Sequence, residues 1–414
     1  MKTDCSGDGS VGRSWGRRVA EIPTRRDASL CRRSPKGRSV IGPLVLAAAL
    51  LAGCYCPWRA GAADQTADVV IGLLLPPEEA EGASLRRGVM LAVDHVNREP
   101  ARKVRVVVRG RIGQWGADAV EAARMVLDDG AEGLIAPPNG AATHLALQVA
   151  GRTAVPVISL CADSSVSRTG VPWMVRIPPT TVEEARSLMA GLNAQARGPQ
   201  RWAALVPDGR AGREISRDLR EAAAAAHCKL DGTHEVSSNL TRFEAVVAQL
   251  VKARPDAALV WLDPVLAGRL ARSLRDAGFA GTLAGPSRCN SPAFFASCSQ
   301  ASEGFVVPAI VLHEADEARL LSFQTDFRQR YGVEADLTAA EGYDAAVLLA
   351  HILRNNDPQS IPRSFPLAFS LPGASGDLSF DAEGNRKVVL RLLAARQGRF
   401  GPVGRDHEER TGAR

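Results

Sequence analysis

The stretch Gly130–Arg176 decides the fold: GAEGLIAPPNGAATHLALQVAGRTAVPVISLCADSSVSRTGVPWMVR. It predicts two short apolar strands, Gly133–Ala136 and Val155–Leu160, with a helix between them that begins after Asn139 and ends at Gly151. A strand, a helix and a parallel strand form one βαβ unit. Ligands bind such sheets beyond the carboxyl ends of the strands, so the loops after both strands are candidate ligand loops.

The rest of the chain repeats this alternation on both sides of that stretch. Before it, Asp68–Leu75 and Val104–Val108 predict strands, each followed by a segment with helical periodicity. After it, Thr181–Glu184 predicts a helix start with a capping box, and Trp202–Val206 and Ala257–Leu262 predict strands of a second unit. The expected fold class is therefore α/β, with two Rossmann-like lobes of parallel sheet flanked by helices.

The N-terminal segment has the features of an export signal. Residues 1–53 hold 10 Lys and Arg against 4 Asp and Glu, whereas the chain from Cys54 onward holds 41 of each, so the net charge of +6 belongs to this segment. A nucleic-acid partner is therefore not expected. The apolar run Val40–Leu51 is short for a membrane span. Leu51-Ala52-Gly53-Cys54 resembles a bacterial lipobox, in which Cys54 would be lipidated; ordinary cleavage near Ala60-Gly61-Ala62 is the alternative.

Motifs that carry chemistry are scarce in this sequence. It has no nucleophile elbow, phosphate-binding loop, zinc-protease helix or calcium loop, and its eight cysteines form neither a C-x-x-C pair nor a cluster with histidine. We therefore expect no enzyme, no metal and no cofactor. Cys289 and Cys298 are candidates for a disulfide, with free buried thiols as the alternative. Glu183 and Glu184 are interpreted as acids that complement a helix start, not as a catalytic pair.

The order of several weak motifs resembles the type I periplasmic binding proteins, in the branch that binds branched-chain amino acids. The motifs are Ile135-Ala136-Pro137, then Ala154–Ser159 (AVPVIS), then Gly170–Arg176 (GVPWMVR), and the similarity extends over roughly Asp68 to Phe400. This resemblance implies two lobes joined by a hinge of three crossovers, which close over a ligand.

The lobes that the resemblance implies are discontinuous in the chain. The expected divisions are an export signal at 1–53, a tether at 54–66, lobe 1 at 67–177 with 311–362, lobe 2 at 178–310 with 363–403, and a tail at 404–414. The last crossing is expected to lead into a hairpin over Gly376–Leu393 in lobe 2, with Asp381–Asn385 as its turn.

The resemblance also predicts which residues contact the ligand, all of them in loops that follow strands. They are Asn139, Gly140, Ala141, Cys161, Ala162, Asp163, Ala211, Asp263, Ser287 and Arg288. The serine of the family falls on Asn139 or Gly140, and its Ser/Thr position falls on Asp163. Its aromatic falls near Ala211, and its carboxylate falls on Ser287. The amino-acid-binding signature is therefore altered.

Two of these residues have alternative interpretations. Asp163 is expected either to receive a ligand ammonium group or simply to cap the next turn. Arg288 is expected either to receive a second acidic group of the ligand or to be a solvated side chain.

The function that the resemblance implies is solute binding for an ABC importer. The partners would be a small polar ligand (an amino acid, amide or carboxylate) and an ABC permease, with membrane attachment only through the lipid. The expected location is the periplasm or the outer face of the cytoplasmic membrane. The alternative is a ligand-sensing receptor domain of the same fold that reports to a membrane or regulatory partner.

Overall fold

The computed structural model of the protein describes residues 68–75, 80–110, 116–196, 200–237, 243–356 and 370–403. The expected export signal with Cys54, the tether at 54–66 and the tail at 404–414 lie outside these residues. Within the part described, no helix combines the length and the apolar composition that a membrane crossing requires.

The first sheet has five parallel strands in the order β2-β1-β3-β4-β5. Its elements are β1 Val69–Leu74, α1 Ala80–Val96, β2 Val104–Arg109, α2 Ala117–Leu127, β3 Gly133–Ala136, α3 Gly140–Thr153, β4 Val157–Ser159 and β5 Met174–Arg176. In β1, Ile71 and Leu73 pack in the core on one face, and Val70 and Leu74 pack in the core on the other. Helices therefore cover both faces, as a parallel sheet requires.

The second sheet has seven strands in the order β14-β13-β10-β9-β8-β6-β7. Its strands are β6 Arg201–Pro207, β7 Lys229–Val236, β8 Ala257–Val260, β9 Thr282–Ala284, β10 Val306–Ile310, β13 Leu390–Arg396 and β14 Arg399–Pro402; its helices are α4 Thr181–Gln195, α5 Gly209–Ala225, α6 Glu244–Ala253, α7 Pro264–Asp276 and α8 Pro292–Cys298. The strands from β7 to β10 are parallel, and β13 and β14 form an antiparallel edge. The expected fold class is thus confirmed, and the antiparallel edge is an addition to it.

The chain passes three times between the two sheets. It leaves β5 for α4 and returns from β10 to α9 (Glu314–Tyr331) and α10 (Leu337–Asn355). It finally runs from two short strands, β11 (Ser370–Gly373) and β12 (Gly376–Ser379), to β13. Helix α10 packs on α1 of the first sheet. The three crossings lie together as a hinge. The amide of Arg176 at the first crossing donates to the carbonyl of Gly384 in the third, and the amide of Val311 at the second donates to the carbonyl of Val389 in the third.

The expected hairpin over Gly376–Leu393 is wrong in its strand pairing but not in its turn. The chain does reverse at Asp381–Asn385, where the amide of Asp381 donates to the carbonyl of Asn385 at 2.9 Å. However, β12 (Gly376–Ser379) pairs along its length with β11 (Ser370–Gly373) in a separate two-stranded sheet, and not with a strand ending at Leu393. A turn signal marks a reversal but does not select the strand that pairs. Leu378 and Phe380 pack in the core of the first sheet, so we propose that lobe 1 includes residues 370–380.

Helix α3 also continues past its expected end. It runs through Gly151 to Thr153, because the residue in the left-handed conformation that ends it is Ala154, with φ 58°.

Candidate functional site

A cavity of about 370 Å³ lies where the carboxyl ends of the strands of the two sheets face each other. We call it the loop-end cavity, because the loops after β3, β4, β6, β8 and β9 line it. Its lining includes all ten expected ligand residues: Asn139, Gly140, Ala141, Cys161, Ala162, Asp163, Ala211, Asp263, Ser287 and Arg288. The structure thus brings the predicted residues together, and their contact with a ligand stays a prediction.

The first ligand loop presents the N-terminus of α3 to this cavity. Asn139 caps the helix, because its Oδ1 accepts a hydrogen bond from the amide of Ala142 at 3.0 Å. The amides of Gly140 and Ala141 belong to the first turn and have no intrahelical acceptor, so they can donate to an anion. A Cβ at Gly140 would lie 2.8 Å from Asp163 Oδ2 and 3.1 Å from Glu214 Oε2, so a side chain here would displace these two carboxylates.

The second ligand loop turns around Asp163, and the turn-capping interpretation of this residue is confirmed. Asp163 Oδ1 accepts from the amide of Ser165 at 2.9 Å and from Arg217 Nη2 of α5 at 2.8 Å. Burial acts to raise the pKa of Asp163, but the nearby ring of His144 (Nε2 is 3.7 Å from Oδ2), hydrogen bonds from Ser165 and the charge of Arg217 hold it below its usual range. Asp163 is therefore ionised, with its charge already compensated by groups of the protein.

Arg176, at the end of β5, holds this second loop in place. The side chain is fully buried and donates to the carbonyls of Cys161 (3.2 Å) and Asp163 (2.6 Å) and to Ser167 Oγ (2.7 Å). It also donates to Asn385 Oδ1 at 2.7 Å. The arginine that ends the GVPWMVR motif therefore links the ligand loop to the third crossing of the hinge.

Arg288 is fully engaged within the protein, so its interpretation as a solvated side chain is wrong. Its Nη2 donates to Glu341 Oε2 at 2.8 Å and to the carbonyl of Leu160 at 3.1 Å, and its Nη1 donates to Thr338 Oγ1 at 3.0 Å. Burial raises the pKa of Glu341, and the charge of Arg288 acts in the opposite direction. An acidic group of a ligand would have to compete with Glu341 for this guanidinium.

Glu184 is a residue of the cavity wall that the sequence analysis treated only as a helix-start acid. Its neighbour Glu183 does form the capping box with Thr180, but Glu184 itself points inward and is buried. Burial raises the pKa of Glu184 to about 7, although the amide of Ser287 approaches its Oε2 at 3.4 Å. The signal for this position is the inward face of α4, where Thr181, Glu184 and Leu188 share helical spacing.

The second lobe contributes three further features to the cavity. Asp263 caps α7, because its Oδ1 accepts from the amides of Val265 and Leu266. Ala211 lies in the first turn of α5 and provides no ring. The aromatic of the cavity is instead Trp261, which follows β8 and is 5 % exposed. The carboxylates that line the cavity are Asp163, Glu184, Glu214, Asp218 and Asp263, against the guanidiniums of Arg210 and Arg288.

The cysteines in the described part of the chain are free thiols. Cys289 and Cys298 are buried in one apolar cluster without a bond between them, so the expected disulfide is absent and the alternative applies: each packs as a small apolar side chain. Cys161 lines the loop-end cavity, but burial raises its pKa to about 12, and the thiol stays protonated. Among the described residues, no group of His, Cys, Asp and Glu is arranged to hold a metal.

Two α/β units joined by three crossings, with a cavity between the carboxyl ends of their strands, define a bilobal binding protein. The profile of the family described as Periplasmic binding protein matches residues 69–362, and the chain belongs to this family. Membership implies an extracytoplasmic location. No protein of curated function matches the sequence significantly.

Solved structures with this fold include ABC-transporter substrate-binding proteins. The branched-chain amino acid transporter substrate-binding protein LivJ from Streptococcus pneumoniae, in complex with isoleucine, is 17 % identical with a TM-score of 0.70, over 80 % of this chain and 97 % of that one. The leucine-binding protein LivK from Thermotoga maritima is 19 % identical with a TM-score of 0.69, and the match covers 81 % of this chain and 98 % of that one. A solute-binding protein from R. palustris, in complex with benzoate, is 17 % identical with a TM-score of 0.72, and the match covers 81 % of this chain and 96 % of that one.

Proposed function

We propose that the protein is the extracytoplasmic solute-binding protein of an ABC importer, and that it binds a small zwitterion of the amino-acid type in the loop-end cavity. The observation that carries the proposal is the composition of this cavity. It combines a helix N-terminus with open amides and a buried carboxyl group in the wall, that of Glu184. The protein would perform no chemistry on the ligand.

The two ends of a zwitterion match the two kinds of group in the cavity. A carboxylate fits the amides of Gly140 and Ala141, because a helix N-terminus favours negative charge. An ammonium group fits Glu184, whose carboxyl is buried in the wall without a side-chain cation bonded to it in the described structure. The cavity volume of about 370 Å³ is near the lower end of the range for ligand pockets, which favours a solute of amino-acid size.

The structural neighbours support a ligand with a carboxylate. Isoleucine is bound in the Streptococcus pneumoniae protein and benzoate in the R. palustris protein, and both molecules carry one. Since these proteins are below 25 % identity, they support the class of the ligand and not its side chain.

The anchoring of the protein is also part of this proposal. We propose that the signal at 1–53 directs export and that Cys54 is lipidated, so that the protein is held at the outer face of the cytoplasmic membrane near its permease. Mass spectrometry of the mature protein tests this point, because lipidation and cleavage near Ala63 leave different N-termini.

The ligand proposal is tested by calorimetric titration with the common L-amino acids, each compared with its deamino and decarboxy analogues. One or more amino acids should bind, and both analogues should bind roughly tenfold more weakly or worse, because each leaves a polar group of the cavity without a partner. An analogue that binds as well as its parent would contradict the assignment of that end.

A matched pair of glycine substitutions in α3 locates the site. Gly140→Ala adds a Cβ within 2.8 Å of Asp163 Oδ2, whereas Gly151→Ala adds one with nothing within 4 Å. We expect Gly140→Ala to weaken binding by about tenfold or more through steric conflict. Gly151→Ala should leave binding unchanged and stabilise the helix by up to about 1 kcal/mol. Equal binding by the two variants would place the ligand elsewhere.

A further inference from the structure

A second and larger cavity, of about 710 Å³, lies beside the hinge. Phe295, Ile310 and Phe400 of the second lobe form one wall, and Leu320 and Leu337 of the first lobe form the other. We call it the hinge cavity. Its volume falls within the range of about 300–1,000 Å³ that is usual for small-molecule sites. The loop-end cavity shares only Ser287 with it among the lining residues.

The hinge cavity is lined mainly by apolar side chains that remain partly accessible. Phe295, Ile310, Leu320, Leu337 and Phe400 are each half-buried, in contrast to the fully buried residues of the cores behind them. Covering concave apolar surface of this kind with an apolar ligand is favourable, because apolar surface is removed from water. The lining therefore favours the body of an apolar molecule.

The polar groups at the inner end of the cavity are already paired within the protein. Glu341 accepts a hydrogen bond from Arg288 at 2.8 Å. Ser375 Oγ donates to Asp344 and accepts from Arg386 Nη1 at 2.9 Å. The Arg288–Glu341 bridge also separates this cavity from the loop-end cavity, because Arg288 lines one of them and Glu341 lines the other. A ligand of the hinge cavity would therefore lie apart from the proposed solute.

The solvent side of the cavity carries positive charge. Arg391 on β13 and Arg399 at the start of β14 line it and are exposed. Asp336, the remaining acid of the lining, caps α10 by accepting from the amide of Ala339 at 2.8 Å, and it accepts from Ser84 Oγ. Since the acids are engaged with protein donors and the two arginines face solvent, an anionic end group is the complementary one.

We propose that the hinge cavity is a second ligand site, and that it binds an apolar monoanion such as a medium-chain or aryl carboxylate. The hydrocarbon body lies between the walls of the two lobes, and the anionic group lies at Arg391 and Arg399. Because both lobes contact the body, an occupant would bridge them beside the hinge.

Calorimetric titration of the protein with decanoate tests the proposal, with decylammonium as the probe of opposite charge. Decanoate should bind at one site, and about tenfold more tightly than decylammonium, because the exposed charges of this cavity are cationic. Leu320→Gln should weaken decanoate binding about tenfold by placing an amide in the apolar wall. Leu321→Gln is the matched control on the same helix, since Leu321 is 63 % exposed and lies outside the lining.

Two further variants keep the test independent of folding and of the loop-end cavity. Arg399→Gln, at the exposed start of β14, should weaken decanoate binding roughly threefold to tenfold through lost charge pairing. Gly140→Ala should leave decanoate binding unchanged. Absence of saturable binding, preference for decylammonium, equal loss in Leu321→Gln, or loss in Gly140→Ala would each overturn the proposal.

Discussion

Among the described residues, two groups of side-chain contacts join the lobes, and they differ in how accessible their cations are. The mouth contacts link the loop after β4 to α5. Ser164 Oγ donates to Asp218 at 2.7 Å. Arg217 donates to Asp163 at 2.8 Å, and Arg168 donates to Glu221 at 2.8 Å. The inner contact links Arg288 to Glu341, Thr338 and Leu160 of the first lobe.

The cations of the mouth contacts are more accessible than the cation of the inner contact. The side chains of Arg217 and Arg168 are 44 % and 58 % exposed and that of Arg288 is 24 % exposed, while the acids Asp163 and Glu341 are both buried. Water replaces the partner of an accessible cation more easily than that of a buried one, so a pair with an exposed cation contributes less. The mouth contacts are therefore suited to open when a solute enters, and the inner contact is suited to persist near the hinge during that motion.

The largest expected effect comes from breaking the inner contact. Arg288→Met should lower the free energy of unfolding by about 3 kcal/mol, because it leaves Glu341 buried without its cation. Urea unfolding at pH 7 measures this loss. The double variant Arg288→Met with Glu341→Gln should recover most of it, since the uncompensated charge is then removed.

An exposed arginine provides the control for this prediction. Arg272 pairs with Asp276 on α7, with side chains 60 % and 72 % exposed. Arg272→Met should change stability by less than about 0.5 kcal/mol. If Arg272→Met and Arg288→Met cost the same, burial does not distinguish the two kinds of contact.

The second prediction concerns Glu184, the buried acid beside the inner contact. Its pKa is raised to about 7 from an ordinary value of 4.5, so the folded state keeps a proton that the unfolded state releases between these values. The wild-type protein therefore loses stability as the pH rises through that window. Glu184→Gln, which cannot ionise, should stabilise the protein by roughly 2–3 kcal/mol more at pH 8 than at pH 5.

Thermal and urea unfolding of Glu184→Gln at the two pH values check this sign. Glu183→Gln is the control at the adjacent position, where the carboxylate accepts from the amide of Thr180 in the capping box at 2.8 Å. It should change stability by about 0.5 kcal/mol or less at both pH values, because glutamine also accepts at this capping-box position and only the charge near the helix N-terminus is lost. A Glu184→Gln variant that gains no stability at high pH would contradict the burial of an acid in the cavity wall.

Much of the fold could be predicted from the sequence, because local patterns determine it. The continuous apolar run of β1 reflects burial on both faces, and Thr180 with Glu183 forms the helix start that the capping-box pattern indicates. The partners of β12 and β13 could not be predicted, since pairing depends on tertiary contacts and not on the turn residues.

For the site, the sequence predicted the loops but not the interactions of their side chains. The ten expected residues line one cavity because each follows a strand in a parallel sheet. The pairing of Arg288 with Glu341 joins residues 53 positions apart, and that of Asp163 with Arg217 joins residues 54 apart, so no local pattern could reveal either. Glu184 was recognisable only from the face of its helix.

The smallest change in stability is expected at the mouth contacts. Arg217→Gln removes a cation that is 44 % exposed, and its buried partners Asp163 and Asp218 keep hydrogen bonds from Ser165 and Ser164, so the free energy of unfolding should fall by about 1–2 kcal/mol. It should nevertheless favour the open arrangement of the lobes, because the closed one loses its bond to Asp163. The radius of gyration of the ligand-free protein, measured by small-angle X-ray scattering, should therefore increase. Solute affinity should fall by less than about tenfold, since the solute must restore the closed state.

Arg213→Gln provides the control on the same helix, because Arg213 is exposed and lies outside the mouth contacts. It should leave both the radius of gyration and the affinity unchanged. If Arg217→Gln reduced stability as much as Arg288→Met without altering the radius of gyration, the mouth contacts would be permanent parts of the fold. The distinction between contacts that open and contacts that persist would then fail, because both would be required for the folded state.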